Sequence, residues 1–419
     1  KIWDINVELH DEIISNFFIE KSLEKWEKFV KNAKIDTVKE SILLKKIALG
    51  QKMLIKVDLS KSRLRKLDAD REDIVRNKNI IENTRSIICG PDSWPRYTSI
   101  HSFSDLSRAI NDTPRNPFYF PIINYLDRKL PDFHGKWVGI SITGIVQLVC
   151  AFIIAQIIKE KRPDISIVMG GAIFPYLKDI LIGKPKHPAV DFIIIGEGEN
   201  SLYNLLTNSS NYAKIPGLLY PDVNGIYRYS EITENSFEKI DTLPVPDYSD
   251  FPLEKYFLEP GILCYVSARG CYWNKCAFCS LSCNYGNKYR CRSVENVIND
   301  LTYLKNNFSL KYLFFNDEAI PPGRLLDLSN AMIESKLDLK WLASLRFEES
   351  FEKKHWEKSY EAGLRMISFG FESGAQETLE IMRKGTKVEN ESRILKESSE
   401  TGIANHIFEI GRASCRERV

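Results

Sequence analysis

The chain carries almost no net charge: 58 basic against 56 acidic residues leave +2 at pH 7, with both signs spread along its length. That balance predicts neither a nucleic-acid contact nor a polybasic membrane contact. A secreted disulfide framework is also missing. Nine cysteines, three of them clustered and none regularly spaced, fit a reducing cytoplasm better than an oxidising compartment. No signal-peptide pattern opens the chain. One uncharged stretch, Val138–Ile158, is long enough to raise a transmembrane helix, but its pattern changes midway. Trp137–Thr143 reads as a buried strand, Gly144 as a turn, and Ile145 onward as a helix that ends in Lys159-Glu160-Lys161-Arg162-Pro163. No membrane span is expected.

At 419 residues the chain has room for two or three domains. Lys1–Glu8 alternates like a strand already under way without an initiator methionine, so a preceding strand and helix are expected to be missing. Glu409–Val419, Cys415 included, reads as a translated adapter sequence and is set aside. Lys21 to about Asp132 is charged and helical in spacing, with Leu and Ile recurring between Ile42 and Ile55, as in a packing insertion. Trp94–Tyr119, rich in Pro, Ser and aromatics, reads as an ordered loop. After the Val138–Ile158 stretch come two more strands, Ile165–Met169 ending in Gly170-Gly171 and Phe192–Ile195 ending in Gly196-Glu197-Gly198-Glu199. Strands alternating with a helix, each closed by small residues, describe a doubly wound parallel sheet whose ligands bind at the carboxyl ends. Glycines there admit a bulky ligand to the backbone; plain turn-making is the other reading.

Asp241–Tyr248, with alternate prolines, is an extended linker. Beyond it strands and helices alternate again: strand Ile262–Val266, helix Val294–Leu304, strand Tyr312–Phe315, helix Arg324–Ile333, strand Trp341–Leu345, helix Glu352–Glu361, strand Met366–Phe371, helix Gln376–Met382, and a fifth strand from Ile403. Four βα units and the start of another make an incomplete barrel. In its first unit Arg269–Cys279 places Cys271, Cys276 and Cys279 within nine residues. Clustered thiolates are soft ligands that suit an iron–sulfur centre or, with Cys283 or Cys291 as the fourth donor, structural zinc. The position of the loop at the carboxyl end of a parallel strand, where catalytic loops sit, argues for the former.

These residues resemble the radical S-adenosylmethionine (SAM) enzymes, in which three cysteines hold a 4Fe-4S cluster and SAM completes the fourth iron. The family spacing is C-x3-C-x2-C with an aromatic before the last cysteine. Phe278 fills that aromatic place and Cys276–Cys279 keeps the second spacing, while four residues stand between Cys271 and Cys276. Cys283 and Cys291 lack the spacing of a second cluster. A nucleotide-type sheet, a Pro-rich linker and then this loop is the layout of the cobalamin-binding-domain radical SAM proteins, which the chain resembles from Lys1 to about Phe408. The resemblance implies a Rossmann-like cobalamin domain over residues 1–235, a linker over 236–258, a partial radical SAM barrel over 259–408 and the tail 409–419.

By that likeness Ser141, Thr143, Gly170, Gly171, Gly196 and Glu197 lie near the corrin or its nucleotide tail. The D-x-H-x-x-G motif that supplies a histidine to cobalt is absent. Asp132-Phe133-His134 imitates its start, but Trp137 replaces the glycine and a strand follows where a helix is needed. Phe278 and the polar residues at strand ends become SAM contacts: Asp317 and Glu318 for the ammonium, Arg346 for the carboxylate or a substrate acid, Glu372 and Ser373 for the ribose. Ser373 also reads as a helix cap, and Arg292-Ser293 as the opening of the first barrel helix. The implied reaction is reductive cleavage of SAM to a 5′-deoxyadenosyl radical followed by C-methylation of an unactivated carbon through methylcobalamin. Alternatives are a radical rearrangement, cyclisation or peptide maturation without methylcobalamin, and a non-catalytic iron–sulfur or corrinoid sensor. Implied partners are a small-molecule or peptide substrate and an electron donor such as flavodoxin or ferredoxin.

Overall fold

The computed structural model describes residues 102–111, 116, 118–207, 211–251, 253, 261–286 and 288–410. The strand expected at Lys1–Glu8, the helical spacing of Ile42–Ile55 and the tail from Gly411 lie outside them. Chain contacts divide the molecule into two units, with Thr233–Ser249 grouped with the second.

In the first unit the uncharged stretch is two elements. β1 (Trp137–Ser141) leads through a 3-10 turn into α3 (Leu148–Lys161). The helix is apolar on every side, so it must be enclosed; Val149, Ile153, Ile154, Ile157 and Ile158 are all buried. Two helices pack on it, α1 (Phe103–Asn111) and α2 (Tyr119–Lys129). The first falls in the segment expected to be a loop. It is short and amphipathic, with buried Leu106, Ala109 and Ile110 joining the same core as α3. No helix among the described residues is long and apolar enough to cross a membrane.

β2 (Ser166–Gly170) and β3 (Phe192–Ile194) extend the sheet in parallel, with α4 (Phe174–Leu181) between them and α5 (Glu199–Thr207) after β3. The sheet then finishes in an antiparallel hairpin, β4 (Leu218–Pro221) and β5 (Tyr227–Tyr229), giving the order β1-β2-β3-β4-β5. The hairpin's signal was Asp222-Val223-Asn224-Gly225: Asp222 accepts from the Asn224 and Ile226 N–H groups, and Gly225 takes φ +74°. Parallel pairing puts the ends of β1, β2 and β3 on one edge, so Ser141, Thr143, Gly170, Gly171 and Gly196 share it.

The second unit holds five parallel strands in the order β12-β11-β10-β9-β6: β6 (Ile262–Tyr265), β9 (Tyr312–Phe315), β10 (Lys340–Leu345), β11 (Leu364–Glu372) and β12 (Ala404–Glu409). Each strand pairs with the next in the chain, as in an opening barrel. After a one-turn helix α6 (Ser282–Tyr285), helices α7 (Val294–Phe308), α8 (Pro322–Glu334), α9 (Lys353–Glu361), and finally α10 (Gln376–Ile381) with α11 (Val388–Glu400) connect them. α11 supplies a second helix before the fifth strand that the apolar pattern did not reveal. Glu409, expected in the tail, instead ends β12 opposite Glu372. On β10 alternate residues Trp341, Ala343 and Leu345 are buried, as in a strand with one face under helices. The proline-alternating segment packs on this unit: Asp241 accepts from the Ser293 N–H and hydroxyl and from Asn296, and Arg292 donates to the Ile240 and Leu243 carbonyls while pairing with Asp300 at 2.7 Å. Ser293 caps α7.

Gly171 is a point of close backbone approach in the first sheet. With φ at +108°, a Cβ there would lie 2.4 Å from the Ile142 carbonyl oxygen and 2.6 Å from its nitrogen. Gly171→Ala should therefore lower the melting temperature by several degrees, from a left-handed residue that also clashes with backbone. Gly144→Ala, with φ −144° and nothing within 4 Å, should leave it within a degree; thermal melts of the two variants make the comparison.

Candidate functional site

The cysteine loop leaves and re-enters the second unit through a two-stranded ribbon, β7 (Ala268–Arg269) against β8 (Arg290–Cys291). Gly270 at its base faces the Lys288 carbonyl so closely that a Cβ would stand 2.3 Å from it. The root is held by Asp317, just past β9. Its carboxylate accepts from the Ser267 N–H (2.6 Å), the Ser267 hydroxyl (2.5 Å) and the Ala268 N–H (3.0 Å), and it is only 2% exposed. Burial raises its pKa and these donors oppose the rise. Asp317 thus turns toward the loop. Glu318 next to it remains exposed, and its carboxyl is raised by desolvation and then by the Asp317 charge.

The loop's far side rests on the segment after α10. The Ala277 N–H donates to the Met382 carbonyl and the Trp273 indole to the Arg383 carbonyl, both at 2.8–2.9 Å. Trp273 packs against Gly385, where any Cβ would be 2.0 Å from the ring. Arg346, past β10 and 4% exposed, ties the two sides together. It pairs with Glu348 (2.8 Å), donates to the Lys384 carbonyl (2.5 Å), reaches the Cys276 sulfur (3.8 Å) and lies over the Trp273 ring (4.8 Å). Glu348 also accepts from the Tyr272 hydroxyl at 2.9 Å. Sequence reasoning placed Arg346 at a ligand; three of its nitrogens are occupied by the protein.

Lys384 is 5% exposed, pairs with Glu372 at 2.9 Å and stands 5.9 Å over the Phe278 ring. The apolar and turn patterns gave no sign of it, although Lys384-Gly385 sits in a visible helix stop. Glu372 has φ +62° at a register shift of β11, a strained position that the ion pair and the Ile410 N–H bond to its carbonyl hold in place. Ser373 accepts from Ala375 N–H, a local turn. Burial raises the Cys276 thiol, while Lys384 and Arg346 pull it the other way. A cleft of about 870 Å³ opens beside Cys276 and Cys279, with Lys275, Gln376, Arg383 and Lys387 among its walls.

Cys271, Cys276 and Cys279 are all free, as are Cys283 and Cys291. Among the described residues no three His, Cys, Asp or Glu side chains converge on one point, as a single ion would require. A cluster asks instead for one thiolate at each of several irons. The donor chemistry fits such a group: three thiols on one anchored loop, beside two buried cations that offset thiolate and cluster charge.

In the first unit, Ser141 and Thr143 are exposed and Gly170 leaves ordinary room, its nearest neighbour being the Ile194 carbonyl at 3.6 Å. Thr143 donates from its N–H (2.8 Å) and hydroxyl (3.0 Å) to the Gln147 side chain. Glu197 follows Gly196, which takes φ +81°. Gly171 has a reason of its own, the approach of Ile142, so its small size is not by itself a mark of a ligand. His134 precedes β1 and lies at the opposite edge; the seven residues to Ser141 span roughly 20 Å when extended.

No family model matches the chain. Over 261 residues it is 29% identical to an uncharacterized methyltransferase of Pyrococcus horikoshii, covering 60% of this chain and 55% of that protein. It is 26% identical over 260 residues to the anaerobic magnesium-protoporphyrin IX monomethyl ester cyclase of Rubrivivax gelatinosus, covering 59% and 46%. Among solved structures, the cobalamin-dependent S-adenosylmethionine radical enzyme OxsB, with aqua-cobalamin and SAM bound, aligns with a TM-score of 0.57 at 22% identity over 73% of this chain and 46% of that one. The chain has the fold of the cobalamin-dependent radical SAM enzymes. The radical SAM methyltransferase TsrM from Kitasatospora setae, with cobalamin and a [4Fe-4S] cluster bound, aligns at 0.53 and 19% identity over 68% and 60%. The chain spans about half the length of the curated relatives it matches. In this radical SAM fold the cysteine loop sits at the carboxyl end of the barrel strands, and the glycine edge at the carboxyl end of the other sheet.

One carboxyl near the site provides a test of the packing. Glu391 on α11 is fully buried, accepts from Thr386 at 3.1 Å and leaves its second oxygen without a partner. Burial pushes its pKa from 4.5 up to about 7. A raised folded-state value means stability is full below 4.5 and falls as pH rises toward 7, by about 1.4 kcal/mol per unit at most. Glu391→Gln, which mimics the protonated acid, should melt several degrees above the parent at pH 8 and no higher at pH 5, as followed by melting temperature against pH.

Proposed function

We propose that this chain carries the cobalamin and cluster sites of a cobalamin-dependent radical SAM enzyme that methylates an unactivated carbon. One observation carries the reading: three free thiols on a loop anchored at the carboxyl end of a parallel barrel sheet, in a chain that also holds a parallel sheet with a glycine-bearing carboxyl edge. When bound, the reduced cluster supplies the electron that cleaves SAM to methionine and a 5′-deoxyadenosyl radical, and cobalamin supplies the methyl group.

The chain's own residues bind and position. Cys271, Cys276 and Cys279 hold the cluster, Asp317 keeps their loop rooted, and Trp273 on Gly385 holds its far side. Glu318 offers its carboxylate to SAM's ammonium, Phe278 lies beside SAM, and Ser373 with Glu372 faces the ribose. Asp317 acts on SAM through the loop. Ser141, Thr143, Gly170, Gly171, Gly196 and Glu197 border the cobalamin, which takes no histidine from His134. The substrate is a small molecule or peptide, and the electron donor a flavodoxin or ferredoxin, met in the cytoplasm. A second reading has an observation of its own, the similarity to the cyclase of Rubrivivax gelatinosus: a radical cyclisation or rearrangement without methyl donation.

Anaerobic reconstitution should give one four-iron cluster. Cys271→Ala, Cys276→Ala and Cys279→Ala should each abolish it, whereas Cys283→Ala and Cys291→Ala should leave iron content unchanged; loss on changing Cys283 would move the ligand set. With reductant and SAM, the protein should release 5′-deoxyadenosine, detected by mass spectrometry. Failure to take up cobalamin at any useful concentration would move the cyclisation reading first, and a cobalamin spectrum altered by His134→Ala would restore that histidine as a ligand.

A further inference from the structure

Arg346 is a charge that the fold keeps almost out of water yet does not spend on a single partner. Its three nitrogens point three ways: to Glu348, to the Lys384 carbonyl and to the sulfur of Cys276, 70 positions earlier in the chain. The guanidinium is 4% exposed and backed by the Trp273 ring, so the first two contacts and the stacking fix its plane while the third aims an N–H at a thiol. A stabilising ion pair alone would need only Glu348. From this geometry we infer that Arg346 is a positioning residue that sets the reduction potential of the centre held by Cys276. The inference rests on the three cysteines carrying the cluster.

The physical argument is one of charge. Reducing an iron–sulfur cluster adds an electron to an assembly that its sulfides and thiolates already make negative, and hydrogen bonds to the sulfurs and nearby cations favour the reduced state. A guanidinium buried this deeply is little screened by solvent, so the N–H it aims at the Cys276 sulfur and the part of its charge that Glu348 leaves uncompensated act on the cluster at short range. It cannot lose its proton. Lysine would keep the charge but lose the planar fork that reaches three acceptors at once.

The test uses reconstituted protein poised at a series of potentials and read by electron paramagnetic resonance, with iron content measured separately. Arg346→Gln should hold the same iron but show about a tenfold lower reduced-to-oxidised ratio at a fixed potential, about 59 mV for one electron. Arg346→Lys should fall between it and the parent. Arg365→Gln, whose half-buried side chain stacks on Tyr360 at the amino end of β11, should match the parent. Full iron with an unchanged potential in Arg346→Gln overturns the inference and leaves the cluster reading intact. If Arg346→Gln loses iron, Arg346→Lys decides: a lowered potential upholds the inference, and a parental one makes the arginine merely structural. No iron in the parent ends both.

Discussion

A carboxylate taken out of water must have its lone pairs filled, and in this protein the filling is done by the backbone at the root of the cysteine loop. Asp317 stands past the end of β9 and draws Ser267 and Ala268 to it with three bonds. Ser267 in turn accepts from the Arg292 N–H and from Arg324. The loop's origin is therefore fixed to the second strand of the barrel sheet and not only to the strand it follows. Removing the carboxylate would leave buried donors empty, at about 1–3 kcal/mol each.

With the origin fixed, the rest of the loop has to be held from the other side, and that side is built from residues far along the chain. The Met382–Lys387 stretch supplies carbonyls to Ala277, Trp273 and Arg346, a glycine floor for the indole, and the buried ammonium of Lys384. The strained Glu372 completes it through its ion pair. Cations gather around a loop of thiols because thiolates and reduced clusters are negative, and burial makes uncompensated charge costly. The same economy of position governs the first unit. Its parallel strands end on one edge, Gly171 lets Ile142 close on that edge, and Gln147 gathers the Thr143 donors.

The sequence by itself determined the local features. Alternation and apolar runs located β6, β9, β10 and β11 to within about two residues, because strands packed under helices carry apolar side chains, and the buried helix α3 announced itself by carrying no charge from Leu148 to Ile158. The cysteine cluster was equally legible, since its spacing is confined to one loop. Only the tertiary structure decided which way the strand-end side chains face and what they touch. Asp317 and Glu318 are neighbours with the same chemistry, yet one is buried against the loop and the other exposed. Arg346 and Cys276 are 70 residues apart, and Glu372 and Lys384 twelve, separations at which no periodicity carries information. Gly171 read from sequence as room for a ligand, and the fold adds a requirement of its own there, the close approach of Ile142. The helix α11 and buried Glu391 were hidden for a related reason: the helix carries few apolar residues, and its buried face includes Glu391 and Ser398, whose burial depends on neighbours that only the folded chain brings together.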